Sequence, residues 1–232
     1  EVGVRTAIEA MLASPDFVFR MEEAPSGVDL GENYRISDPD LATRMSYFIW
    51  GLPPDAELRS LATEGRLSNE GELERQVTRM LEDPRSEALA TRFAAQWLRL
   101  DDLDKVHPDR LLYPDFHQRL ADELRRETEL FFSNLVHQDG SVLDLFTADY
   151  SFMNERVARH YGIDGVIGED FRRVDYVDEN RRGLLGHASI LTLTSVAGRT
   201  SPVLRGKYVM EVIMGTPPPP PPPGIPTLEE TE

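Results

Sequence analysis

Along most of the chain, apolar residues recur three and four positions apart, and Gly, Pro, Ser and Asp punctuate them at helix ends. Val4, Ile8, Met11 and Leu12 share one face of a first helix that Ser14-Pro15 closes, and Phe17, Phe19 and Met21 alternate as in a short extended segment. Ser37 offers an N-cap, with Pro39 in the first turn and Asp40 at the capping-box spacing. The helix it opens carries Leu41, Met45, Phe48 and Ile49 inward and stops at Gly51 and Pro53. A short helix near Pro54 presents Leu58, Leu61 and Ala62 and ends at Gly65, and a third, capped by Ser68, carries Leu73, Val77 and Leu81.

Asp83-Pro84 then opens a helix with Ala88, Leu89, Phe93, Trp97 and Leu98 aligned. The spacing predicts the longest helix over about 114–137, with Phe116, Leu120, Leu124, Phe131 and Leu135 on its apolar stripe. "DELRRETE" supplies the wetted face, so Glu127 and Glu129 read as solvated charge. Ser141 and Asp144 cap a short helix holding Val142, Leu145 and Phe146, and "NERVARHYG" forms another that Gly162 closes. From Ile163 to Asn180 the pattern changes, and Phe171, Val174 and Tyr176 of "FRRVDYV" alternate as a strand would. "RRGLLGHASILTLTS" reads as buried and partly helical, and Ser201-Pro202 opens a last helix, to Met214, that packs Leu204, Tyr208 and Val212.

The expected fold is therefore mainly α. A multi-helix, bundle-like domain occupies 34–163, and a smaller α-rich unit with one or two short strands follows over 164–214. Residues 1–33, a helix plus an extended segment, read as the tail of a preceding module, so the chain reads as a piece of a longer protein. Residues 215–232 hold seven consecutive prolines and a tail. In polyproline II geometry such a run spans about 22 Å without donating a hydrogen bond. Leaving from a packed helix, it reads as a rigid strut; a docking ligand for an aromatic groove is the other use of such a run.

Composition narrows the functions. The 232 residues suffice for a real core, with 40% hydrophobic and 28% charged residues. The 41 acidic against 25 basic side chains give a formal charge of −16, which disfavours nucleic acid and anionic lipid as partners. No apolar run is long enough for a membrane span. The absence of cysteine removes disulfides, thiolate metal sites, a cysteine nucleophile and haem attachment within this chain.

The ordered series "YRISDPDLATRMSYFIWGLPPDAEL", "MLEDPRSEALATRFAAQWL", "YPDFHQRLADELRRETELFF", "ADYSFMNERVARHYGI", "RRGLLGHASILTLTS" and "RTSPVLRGKYVMEVIMGTPPPPPPPGIP" resembles large secreted planctomycete proteins. In those proteins domains of unknown function 1592 and 1588 lie in tandem, often with a cytochrome-c-like domain in the same polypeptide. The resemblance implies an extracytoplasmic setting, periplasmic or secreted. It also implies neighbouring domains of the parent polypeptide as partners, a cytochrome-c-like one among them, and electron transfer nearby. Haem c would then sit elsewhere in the parent, because this segment has no attachment motif.

The densest polar stretch, "GHASILTLTSVAGRTSPVLRGK", offers His187, Arg199, Ser201 and Arg205 as an anion- or ligand-binding set, with Ser201 capping the helix whose N–H groups would face the ligand. The bland alternative has Ser201 only capping and the arginines only fixing the loop. A nucleophile elbow is missing, so His187 with Ser189 or Ser195 lacks a hydrolase signature. His160 and His187 with Asp149, Asn154 or Glu155 lack tight metal spacing, and no metal is expected. Trp50, Phe93, Trp97, Phe131 and Phe132 read as core. Two functions stay open: an accessory or interaction module of the parent, and a redox or carbohydrate-active enzyme domain passing electrons to haem elsewhere.

Overall fold

The computed structural model describes residues 2–19, 22, 24–29, 31–176 and 180–219. Among them the protein is mainly α, with short strands in two small antiparallel sheets. Two compact units divide between Met80 and Leu81.

The first unit contains α1 (Val2–Ala13), α2 (Pro15–Val18), α3 (Asp38–Ile49), α4 (Ala56–Thr63) and most of α5 (Glu72–Glu82). Phe17 and Val18, expected in the short extended segment, instead lie in a one-turn helix whose first φ Pro15 fixes, while Phe19 is extended. No residue of α1 is buried, and Ile8 is 51% exposed. Amphipathicity states what a helix can bury; it does not supply the partner.

In α3 the Ser37 hydroxyl accepts from the Asp40 N–H at 3.2 Å, the expected cap. The buried stripe is Asp38, Ala42, Met45, Ser46 and Ile49, rotated from the expected one, so Phe48 is left 55% exposed. A buried polar residue turns the helix: Asp38 accepts a short hydrogen bond from the Ser68 hydroxyl. Ser68 is thereby used as a tie to α3, and α5 starts three residues later than a Ser68 cap would place it. Trp50 is 2% exposed and donates its indole N–H to the Met80 carbonyl at 2.9 Å.

The second unit is organised by α7 (Gln118–His137). Before it, a π-helical turn at Leu89–Ala94 runs into α6 (Ala95–Trp97) and a 3-10 segment at Leu100–Lys105. After it come α8 (Asp144–Thr147), β1 (Tyr150–Met153), α9 (Glu155–Tyr161) and β2 (Arg172–Asp175). β1 and β2 pair antiparallel, Tyr150 opposite Asp175 and Met153 opposite Arg172. Then follow α10 (Gly183–Gly186), α11 (Ala188–Leu193), the two-residue strands β3 (Ser195–Val196) and β4 (Arg199–Thr200), and α12 (Pro202–Tyr208), which continues as a π-helical turn through Ile213.

α7 spans two apolar clusters. Leu120 and Leu124, in its first half, pack with Met153, Val157, Ala158 and Ala188. Phe131 and Leu135, in its second half, pack with Leu98, Leu145, Leu184, Ile190 and Tyr208. α12 is tied to this second cluster by two hydrogen bonds at 2.9 Å. The Tyr208 hydroxyl donates to the Leu98 carbonyl, and the Trp97 indole donates to the Val212 carbonyl. Pro217 to Pro219 are described, but the rest of the proline run is not, so the expected strut lies outside the described residues.

Candidate functional site

One face of α11 forms the floor of a cleft of about 500 Å³ in the second unit. Ala188, Leu191 and Thr192 lie at i, i+3 and i+4, the spacing that puts three side chains on one side of a helix, and Ser195, at the start of β3, continues the lining. The segment from Val106 to Phe116 forms one wall and the β3–β4 hairpin another. Two hydrogen bonds hold these walls together: the Asp109 N–H to the Ala197 carbonyl at 3.0 Å, and the Tyr113 hydroxyl to the Gly198 carbonyl at 3.4 Å.

The charged lining is mostly cationic, Arg181, Arg199 and Arg205 against Asp115, and His160 also lines the cleft. Arg199 is exposed and makes no side-chain hydrogen bond or ion pair with a described residue. Arg205 spends only its Nε, on the Thr194 hydroxyl at 3.4 Å. The Arg181 guanidinium lies 4.5 Å from the centre of the Tyr161 ring, and one Nη donates to the Gly186 carbonyl at 3.3 Å. Desolvation, then Arg181, lowers the pKa of His160 below its ordinary value, with Asp115 acting the other way. The imidazole is therefore neutral at pH 7.

Behind the floor lies a buried polar layer, at the point where α7 passes between the two apolar clusters. Glu127, Thr128, Ser151, His187 and Ser189 are each 0% exposed. Glu127 accepts from the Ser151 hydroxyl at 2.7 Å and from the Tyr161 hydroxyl at 2.6 Å. The Tyr161 oxygen in turn accepts the Ala188 N–H at 2.7 Å. Thr128 shares hydrogen bonds with His187 Nδ1 at 3.0 Å and with Ser189 at 2.7 Å. Ser151 also lies 3.4 Å from His187 Nε2, and the edge of Phe131 closes on the imidazole. Burial raises the carboxyl of Glu127 to about 7 from 4.5, although Tyr161, Ser151 and Arg181 all favour its ionised form. Burial lowers His187 to about 3, so it stays neutral. The buried Tyr176 hydroxyl points into the same region with no well-formed hydrogen-bond partner among the described residues.

Of the four sequence candidates, Arg199 and Arg205 share the cleft with His160. His187 lies wholly behind the floor, next in sequence to Ala188. Ser201 caps α12, accepting the Leu204 N–H at 3.3 Å, and does not line the cleft. Ser195 lines it, but its hydroxyl donates to the Leu191 carbonyl at 2.7 Å. Sequence reasoning missed Arg181 and misread Glu127 and Glu129. Glu127 is buried, and Glu129, 8% exposed, lies beside Arg126. Glu127 follows Leu120 by seven and Leu124 by three, so helical position marked it as buried where side-chain type suggested water. No group of three or more His, Asp or Glu among the described residues is arranged to hold a metal ion. No helix of the described residues is long and apolar enough to cross a membrane.

The family model described as "Protein of unknown function (DUF1592)" matches residues 36–163, and "Protein of unknown function (DUF1588)" matches 181–232. The chain belongs to the DUF1592 family, with DUF1588 in tandem; both are planctomycete cytochrome-c-associated families. Among curated proteins and solved structures, none matches the chain.

Proposed function

We propose that this DUF1592–DUF1588 chain is an accessory module of an extracytoplasmic, cytochrome-c-associated protein, and that its biochemical act is to hold a small molecule in the cleft over α11. The observation that carries this reading is the cleft itself. Its volume of about 500 Å³ is in the range of small-molecule sites, its lining is more apolar than polar, and the cleft also gathers several polar groups. Glu127 and His187, whose pKa values burial displaces in opposite directions, are sealed behind that floor and bonded to one another's neighbours. They serve the shape of the site from within, holding Tyr161 and the start of α11.

The competing reading, a redox or carbohydrate-active enzyme domain feeding haem elsewhere in the parent, would draw on His187. That imidazole is neutral, buried and engaged with Thr128 and Ser151.

The test is ligand-observed NMR of a small-fragment set against the chain and against Ala197→Trp. Ala197 is exposed and lines the cleft, so the indole fills the site from its rim. Fragments should bind the parent chain and be lost in the variant at unchanged melting temperature. Fragments that persist in Ala197→Trp, or a chain that binds none, would overturn the reading.

A further inference from the structure

Most arginines and lysines of this chain answer a carboxylate directly. Arg75 and Arg79 bridge to Glu57 and Asp55, Arg126 to Glu87, Arg156 to Glu123, and Arg99 to Glu211. The three in the cleft do not. Arg181, Arg199 and Arg205 converge on one cavity without an ion pair among the described residues, in a protein whose formal charge is −16. Like charges gathered in one cavity repel, and Asp115, the carboxylate in the lining, forms no ion pair with any of the three among the described residues. Such an arrangement has a use when an anion joins it.

The rest of the cavity limits which anion. Leu191 and Phe116 are half-buried in its lining, and Leu112 and Tyr113 stand at its rim 60% and 44% exposed. A bare inorganic ion would leave these apolar surfaces wet. A flat apolar or aromatic body would cover them. Arg199 and Arg205 keep guanidinium N–H groups free for a planar, two-oxygen acceptor, which a carboxylate matches in fork geometry. Arg181 is held in place by the Tyr161 ring and the Gly186 carbonyl, so part of the site is ordered in advance.

We propose that the cleft takes a carboxylate carried on an apolar or aromatic body, the carboxylate on Arg199 and Arg205 with Arg181 beside it, and the body over Leu191, Leu112 and Tyr113. The assignment rests on the cleft being a ligand site and adds the chemical class of the ligand.

The test is isothermal titration of the full chain with naphthalene-2-carboxylate, its neutral carboxamide, and inorganic phosphate. The acid should bind at least about tenfold more tightly than the amide, as loss of charge-assisted hydrogen bonds requires. It should also bind more tightly than phosphate, and weaken as salt rises. Arg199→Gln, at an exposed position with no partner among the described residues to lose, should lower affinity for the acid and leave that for the amide unchanged. Equal binding of acid and amide would overturn the carboxylate assignment while leaving the cleft a ligand site. Phosphate binding as tight as the acid would overturn the role of the apolar body. Binding of none of the three would remove the ligand-site reading together with this one.

Discussion

Glu127→Gln tests the buried polar layer through the pH dependence of stability. Burial holds the Glu127 carboxyl at about 7 against an ordinary 4.5. The groups facing it are Ser151 on β1, Tyr161 on α9, Tyr176 after β2, and Arg181; no ion pair with a described residue neutralises it. An acid whose pKa is higher in the fold binds its proton more tightly there than in the unfolded chain. Its cost to the fold is therefore absent below about pH 4.5, grows as pH rises to 7, and is constant above. The gap between 4.5 and 7 corresponds to about 3 kcal/mol at most.

Glutamine does not titrate, but it leaves the Tyr161 hydroxyl short of an acceptor, a loss of about 1–2 kcal/mol at every pH. The informative quantity is thus the difference between two pH values. Urea unfolding of both proteins at pH 5 and pH 8 should show the variant gaining about 2–3 kcal/mol on the parent between them. His187 titrates in the opposite sense. Held at about 3 against 6.5, it costs stability as pH falls through that range, in both proteins. The parent should therefore be nearly flat from about pH 4.5 to 6.5, where the two slopes offset, and the variant should gain stability with rising pH there. A difference between pH 5 and pH 8 below about 0.5 kcal/mol would refute the reasoning, because Glu127 would then titrate alike folded and unfolded.

Gly183→Ala should destabilise by at least about 2 kcal/mol in urea unfolding, because the residue has φ +55° and a Cβ there would lie 2.4 Å from the Leu145 carbonyl oxygen. Trp50→Phe removes the donor to the Met80 carbonyl in the core of the first unit, and should cost about 1–3 kcal/mol by the same measurement. Ser201→Ala should cost about 1 kcal/mol through the lost cap of α12, while affinity for naphthalene-2-carboxylate stays unchanged, since Ser201 does not line the cleft.

Much of the helical architecture is legible from residue pattern, because helix limits follow from local chemistry. The Ser37 cap, the glycine closing α9, and the stripe of α7 are all set within a few residues of sequence. The errors arise where a side chain's type and its position disagree. Ser68 has the chemistry of a cap and is spent on Asp38, thirty residues away. Phe48 is a large aromatic on the exposed side of α3, while Ala42 and Ser46 are small residues on the buried side.

The site divides along the same line. Arg199 and Arg205 stand out in sequence as cations in a polar stretch beside a short helix, and they do reach a common cavity. Arg181 and His160 join them only because β2 returns to β1 and brings the end of α9 beside the residues that lead into α10.

By itself, then, the sequence determined the helical class, most helix limits, the lack of thiol chemistry and the family, since each depends on neighbours a few positions apart or on an ordered series of motifs. Only the tertiary structure decided that a glutamate would lose its water and a histidine its charge. Burial is a property of what α7, β1 and α11 bring against a side chain, and the cost of removing charge from water is set by that surrounding.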